Sequence, residues 1–240
     1  MGTTATDLCR NRLLAALPDA DRAVLAPQLE YLTIERRHSM ERPGEAIEYV
    51  YFPFSGIGSV VAVGHRKRDL LIETGIFGRE GMSGTPLVLG VDRSAHDVYM
   101  QIDGDGVRLP ARHLDEALTR SPALRTLLLR YVHAARVQTS HTALTNGRNT
   151  LEVRLARWLV MAHDRIDGDS VMLTHEFLSL MLGVRRAGVT VGSHALEAKG
   201  LIRTVPGRLT ILDRDGLIAL ADGAYGGPEA EYDRLIGRRD

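Results

Sequence analysis

The 240-residue chain predicts an α+β fold: an antiparallel β domain first, then a long helix, then a helical module closed by a β-hairpin. Three observations carry this. Short apolar or alternating runs (YVYF, IGSVVAVG, DLLIETGIF, DVYMQI, GVRLP) recur between Leu32 and Leu109, separated by Gly, Pro and Asp about every eight to twelve residues, the spacing of an antiparallel sandwich, jelly roll or barrel. After Pro122 the chain runs to about Asn146 without proline and with apolar residues at helical spacing. From Thr174 to Asp213 two helical patterns broken by Gly183 precede a strand-turn-strand pattern.

The totals narrow the class. Thirty basic residues balance thirty acidic ones, so a nucleic-acid surface has to be a local patch. No stretch approaches 18 consecutive apolar residues and MGTTATDLCRNR lacks a signal-type apolar core, so the expectation is a cytoplasmic protein that neither enters a membrane nor is exported. Cys9 is the only cysteine, which excludes an internal disulfide and any cysteine-only zinc or iron–sulfur site within one chain. His133 and His141, eight apart, share a helix face too loosely to be expected as metal ligands.

Taken in order, Asp7 to about Leu29 reads as short helices, with Pro18 and Asp19 as a stop-and-start signal. The β domain follows, so that residues 1–120 form one unit. In the long helix, 121–147, Leu124, Leu127, Leu128, Tyr131, Ala134, Ala135 and Gln138 make a stripe at spacings of three and four. The stripe is longer than a small sandwich needs as a cap, so it is read as a dimer interface in preference to a capping face. Asn149 is the expected N-cap of LEVRLARWLVMAHDR, whose Leu151, Leu155, Trp158, Leu159 and Ala162 face inward, and Asp167-Gly168-Asp169 is a turn. This helix opens a unit over 148–222; the glycine-rich, charged tail 223–240 is expected to be mobile, with room for one short helix.

Within that unit Thr174 caps a helix carrying Phe177, Leu178, Met181 and Leu182, and Gly183 ends it in the left-handed conformation. The next helix places Val189, Gly192 and Leu196 on an inner face, and Arg186, Thr190, Ser193 and Glu197 on an outer one. Gly200 ends it, LIRTVPGRLTIL forms a hairpin about Pro206-Gly207, and Asp213 caps a last helix through Leu220. The pattern is a winged helix-turn-helix. Five basic residues (Arg185, Arg186, Lys199, Arg203, Arg208) oppose Glu197, a balance of plus four inside a neutral chain. Such a patch at a helix N-terminus suits double-stranded DNA, since the amide groups favour phosphate and arginine can pair bidentately with guanine.

LTHEFLSLMLGVRRAGVTVGSHALEAKGLI, RLARWLVMAHDR, YVYFPFSGIGSVV and GREGMSG together resemble the Crp/Fnr family of bacterial transcription regulators, over nearly the whole chain. The resemblance implies a cyclic-nucleotide-binding-like β domain, a homodimer on a palindromic site, and RNA polymerase as a further partner. Arg186 is then the expected base reader, with Arg185, Thr190 and Ser193 on bases or nearby phosphate and Thr174, His175 and Arg208 on phosphate. The implied dimer interface holds Leu124, Leu127, Leu128, Tyr131, Ala135 and Gln138. Nucleotide-binding relatives carry Gly-Glu and, some ten residues on, Arg-Ser/Thr-Ala. Here Arg79 intrudes between Gly78 and Glu80, and Arg93-Ser94-Ala95 comes after a longer interval. Glu80, Arg93 and Ser94 are the candidate effector contacts, but a fixed distance is needed to grip one ligand, so a cyclic nucleotide is not the expected effector, and a loop ion pair or a site for something else is the alternative. No cofactor is expected.

Two rival readings stay open. One is constitutive DNA binding without signal input. The other is a cupin-like metal enzyme, for which the β segment offers only His38, His65 and His96 before His113, with no His-x-His pair. A regulator, not an enzyme, is the expectation.

Overall fold

In a computed structural model, residues 5–65 and 70–237 are described, with the side chains of residues 5, 6, 175 and 176 outside the description. The N-terminal segment forms α1 (Ala5–Leu8), α2 (Arg12–Ala15) and α3 (Asp19–Leu25), then a tight 3-10 turn at Ala26–Gln28. Asn11 caps α2 by accepting from the amides of Leu13 and Leu14, and Pro18 precedes α3 in extended conformation. The apolar runs become β1 (Glu30–Ile34), β2 (Ser39–Glu41), β3 (Tyr49–Pro53), β4 (Ile57–Val63) and β5 (Leu71–Phe77), then α4 (Thr85–Val88), β6 (His96–Ile102) and β7 (Gly104–Pro110).

These strands form two antiparallel sheets, β1-β7-β3 and β2-β6-β4-β5. The sheets are separate, so the domain is a jelly-roll-like sandwich and not a closed barrel. In the smaller sheet Tyr31 pairs with Val107 and Val50 with Leu109. Period-two alternation divides its faces: Ile34 and Tyr51 are buried against Val98 and Met100 of the larger sheet, while Phe52, Val107 and Leu109 are buried against the helices on the other side.

The chain continues through α5 (Ala111–Arg120), α6 (Pro122–Arg148), α7 (Leu151–His163), β8 (Ser170–Val171), α8 (His175–Leu182), α9 (Arg186–Ala198), β9 (Ile202–Val205), β10 (Arg208–Ile211), α10 (Arg214–Leu220) and α11 (Gly227–Ile236). The third sheet, β8-β10-β9, belongs to the C-terminal unit. Ser121 caps α6 by accepting from the Leu124 amide at 2.9 Å, and Pro122 occupies its first turn, where no amide is needed. Its 27 residues make a rod about 40 Å long.

The stripe on α6 is where the structure departs most from expectation. Leu124, Leu127, Leu128 and Tyr131 are buried within the chain itself, in one cluster with Phe52, Phe54, Leu109 and Leu114, and Ala135 packs against that cluster. Gln138 turns to β5, accepting from the Ile76 amide at 2.8 Å. Of the six residues assigned to a dimer interface, Leu124, Leu127, Leu128 and Tyr131 are buried within the chain, and Ala135 and Gln138 are half-buried. Periodicity identifies a buried face but not what buries it. The opposite face of α6, with Arg125, Leu129, Arg136, Ser140 and Ala143 exposed and Val132 partly so, is the one open to another molecule.

Two further corrections lie beyond α6. Asn149 ends that helix, and Thr150 is the residue before α7, so the cap falls one position later than expected. The tail is not a loose segment over its described length: α11 docks along α6, with Arg12 over the Tyr232 ring and Tyr232 Oη donating to the Glu80 carbonyl at 2.7 Å. Tyr232 is buried by this contact, which supplies the apolar partner that a composition-based reading of a glycine-rich tail overlooks.

Candidate nucleic-acid interface

The C-terminal unit is built as its pattern predicts up to the recognition helix. Thr174 Oγ1 accepts from the Phe177 amide at 3.3 Å at the start of α8. Gly183 ends α8 at φ 58° and ψ 36°, a left-handed conformation that glycine adopts without a Cβ clash. Arg154 on α7 donates to the Leu182 carbonyl, giving the exposed C-terminal end of α8 a charged partner. Leu178, Met181, Leu182, Val189 and Leu196 then share one core with Leu155, Leu159 and the wing residues Ile202 and Leu209.

The glycines of α9 need less explanation than its composition suggests. A Cβ added at Gly192 would meet Leu151 at 3.4 Å and one at Gly188 would meet it at 3.5 Å, both ordinary contact distances. Close packing on α7 is therefore compatible with alanine at either place.

The outer face of α9 differs from the predicted one. Ser193 is 1% exposed, and its hydroxyl is buried without a hydrogen-bond partner. At 100° per residue it falls within about 40° of Val189, on the arc that packs inward. Glu197 is turned to the wing, where its Oε1 accepts from the amide and the hydroxyl of Thr204, both at 2.6 Å. Those two bonds hold its carboxyl below the usual range. The side facing outward carries Arg185, Arg186, Ala187, Val191, His194 and Ala198, with Thr190 at its margin. Val191, 69% exposed, and His194 were missed: at 100° per residue they lie about 140° and 80° round the helix from Arg186, so a stripe counted from Arg186 passes Val191 by. An exposed valine on such a face can contact a thymine methyl, and arginine can pair with guanine.

Ser193→Ala is expected to leave DNA affinity unchanged and raise stability by about 1 kcal/mol, since it removes an unsatisfied buried hydroxyl. Weaker DNA binding with unchanged stability in paired melting and binding measurements would return Ser193 to the interface.

The basic patch is thinner than the residue count implied. Lys199 is paired with Glu152. Arg185, Arg186, Arg203 and Arg208 remain exposed, the last two on the hairpin of β9 and β10, whose turn is made by Pro206 and Gly207 at φ 78°. Thr174 is exposed at the start of α8, while the side chain of His175 lies outside the described residues.

The helix-turn-helix is seated on the larger sheet of the sandwich. Tyr99 and Phe177 meet edge to face at 6.4 Å, and Gly183 lies against Ile72 of β5. Behind this contact Trp158 Nε1 donates to Glu73 Oε1 at 2.8 Å, while Ser59 Oγ donates to Oε2 at 2.6 Å. Burial pushes the Glu73 carboxyl up to about 7, against the opposing effect of those two donors and of Arg157 and Arg165.

The candidate effector residues do not converge. Glu80 accepts from Arg165 Nε at 2.7 Å, a partner outside the cassette that the sequence reading did not name. Arg93 donates instead to the Gly44 carbonyl at 2.8 Å, and Ser94 bonds the backbone of His96. Neither Arg93 nor Ser94 lines the cavity beside Glu80. The intruding Arg79 lines that cavity but pairs with Asp167, which does not. Among the described residues no group of three or more His, Cys, Asp or Glu could hold a metal ion, and no helix is long and apolar enough to cross a membrane.

Two packed helices, a left-handed glycine between them and a basic hairpin behind define a winged helix-turn-helix module. More particularly, residues 153–220 match the family model of the Crp-like helix-turn-helix domain. Solved structures with the same overall fold include a protein described as a transcriptional regulator of the Crp/Fnr family from Eubacterium rectale (15% identity, 88% of this chain and 98% of that one, TM-score 0.68). Others are FixK2 from Bradyrhizobium japonicum (15%, 80% and 96%, 0.66) and a CRP-family regulator from Thermus thermophilus (20%, 82% and 98%, 0.64). The chain around the helix-turn-helix thus has the fold of the Crp/Fnr regulators. A comparison with curated proteins finds no match.

Proposed function

We propose that this chain is a sequence-specific transcription regulator that binds double-stranded DNA as a homodimer on a palindromic site and takes its signal through the N-terminal sandwich. The observation that carries the reading is the outward face of α9, where two arginines at the helix start adjoin the exposed Val191 and His194. Phosphate contact falls to Thr174 and to Arg203 and Arg208 on the wing, and contact with RNA polymerase completes the proposal.

The second copy is assigned to the outer face of α6. A two-fold pairing along this rod would set two recognition helices about one DNA turn, roughly 34 Å, apart. Leu129, 40% exposed, sits on that face. Leu129→Glu is expected to shift the protein in sedimentation equilibrium from twice the chain mass of 26.4 kDa to that mass. An unchanged mass would move the interface elsewhere.

The test of the whole reading is selection of bound fragments from random-sequence DNA with purified protein. Inverted half-sites one turn apart are the expected result, and no enrichment would refute it. On the selected site Arg186→Ala should cost about 1–3 kcal/mol and relax preference at one base pair per half-site. Equal losses on selected and random DNA would make Arg186 a phosphate contact only.

A further inference from the structure

The wing is tied to its unit differently on its two sides. In the sheet β8-β10-β9 the inner strand β10 pairs with β8, Leu209 opposite Val171, and near its turn the Leu173 amide donates to the Gly207 carbonyl at 3.0 Å. β9 is the edge strand, so its outward amides meet no further strand. At Thr204 a side chain of the recognition helix takes that place. Glu197 Oε1 accepts from the Thr204 amide and from Thr204 Oγ1, both at 2.6 Å.

The two faces of the hairpin have different surroundings. Ile202, Leu209 and Ile211 are buried in the core of the unit, and Thr204, two residues on from Ile202, turns the same way toward α9. Arg203, Val205 and Arg208 alternate with them and are exposed. The anchored threonine thus has Arg203 beside it in the chain, and its partner across the ladder, Leu209, has Arg208 beside it.

We propose that Glu197 is a positioning residue for DNA binding: it holds the edge of the wing on the recognition helix, and so sets where Arg203 and Arg208 meet phosphate relative to the base-reading end at Arg186. The inference rests on the regulator reading and adds to it a role for a residue that itself touches no DNA. Two observations favour this role over a base contact. Glu197 lies in the last turn of α9, roughly 16 Å along the helix axis from Arg186. Its carboxyl is held ionised by the two Thr204 bonds, and a carboxylate turned outward would instead repel the phosphates that the neighbouring arginines attract. The same two bonds therefore fix the wing and keep a negative charge off the reading face.

The test is binding of the full chain to the selected site over a series of salt concentrations. Glu197→Gln keeps an acceptor for both Thr204 donors and should bind within about threefold of the parent. Glu197→Ala should bind roughly tenfold more weakly, with the slope of log K against log salt smaller by about two, one phosphate for each wing of a dimer. Thr204→Val, which keeps the amide bond and loses the hydroxyl, should fall between them. Arg208→Ala should weaken the parent but add little to Glu197→Ala, because a displaced wing has already lost that contact. Without DNA, the Thr204 amide should exchange its hydrogen faster in Glu197→Ala than in the parent, and at the parent's rate in Glu197→Gln. An unchanged salt slope in Glu197→Ala, a Glu197→Gln as weak as Glu197→Ala, or an Arg208→Ala loss equal in both backgrounds would overturn the proposal. Should Glu197→Ala fail to fold, Thr204→Val with the parent's affinity and slope overturns it. A parent that binds DNA no differently from Glu197→Ala defeats this inference alone, and a parent that binds no DNA defeats the regulator reading and this inference with it.

Discussion

Replacing Arg165 by methionine is expected to cost about 3–5 kcal/mol of folding stability, the range for removing one partner of a buried ion pair. The Arg165 side chain is 6% exposed and that of Glu80 14%, and Nε sits 2.7 Å from Oε1. Arg165 Nη1 also donates to the Met161 carbonyl at 2.6 Å, so the guanidinium fastens the end of α7 as well as the turn after β5. Burial pulls the Arg165 pKa down, but Glu80, followed by Asp164 and Glu229, outweighs it, and the group is held charged. Without it Glu80 keeps only a long contact from the Gly78 amide at 3.3 Å, and the carboxylate is stranded.

At the size of this chain the loss corresponds to a fall of roughly 10 °C in melting temperature. Glu80→Gln should be similarly damaging, and the double variant should recover part of the loss, because the harm lies in the unpaired charge and not in the absence of the pair. Asp167→Asn is the control. It removes a salt bridge of comparable length from a carboxylate that is 80% exposed, and should cost no more than about 1 kcal/mol. Thermal unfolding of the four variants decides the matter; a loss near that of Asp167→Asn for Arg165→Met would show that water already reaches Glu80.

The contrast between these two ion pairs marks what was legible in the sequence. Local signals were readable: Thr174 as a cap, Gly183 as a left-handed stop, Pro206-Gly207 as a turn and Asp213 as a cap each depend on neighbours within a few residues. The stripe on α6 was also seen, but its burial partners come from Phe52, Leu109 and Leu114, which helical period cannot name. Ser193 was misplaced because phase alone leaves it between the two faces: 100° per residue sets it about 20° from Arg186 and about 40° from Val189. Arg165 and Glu80, like Trp158 and Glu73, are 85 positions apart in the chain, and no spacing rule joins them. The docking of α11, read only as a short helix in a mobile tail, was missed for a related reason. Its glycine-rich entry reads as tail until Arg12, Tyr131 and Glu80 are brought to it by the rest of the fold.

Stability is expected to fall as pH rises from about 4.5 to about 7, through Glu73. This carboxyl is 4% exposed, on β5, and joins the sandwich to α7 through Trp158. Its folded-state value of about 7 lies above the usual 4.5, with burial the leading cause, so in this window the folded chain holds a proton that the unfolded chain has released. A raised acid stabilises fully below the unfolded value and loses that contribution as pH passes the folded value. The full difference is about 3 kcal/mol. The charged groups around it, Arg157 and Arg165, act in the opposite sense and are already included in that value.

Glu73→Gln should abolish the slope and make the protein more stable than the parent at pH 8, because glutamine can still accept from Trp158 Nε1 and donate to Ser59 Oγ without carrying charge. Trp158 is the only tryptophan in the chain, so its fluorescence reports on this contact directly. The emission should titrate with a midpoint near 7 in the parent and stay flat in Glu73→Gln. A parent whose stability is level between pH 5 and 8, or a variant that keeps the parent's slope, would mean that Glu73 is ionised in the folded chain throughout. The seam between sandwich and DNA-binding unit would then be held by a charge–dipole contact in place of a shared proton.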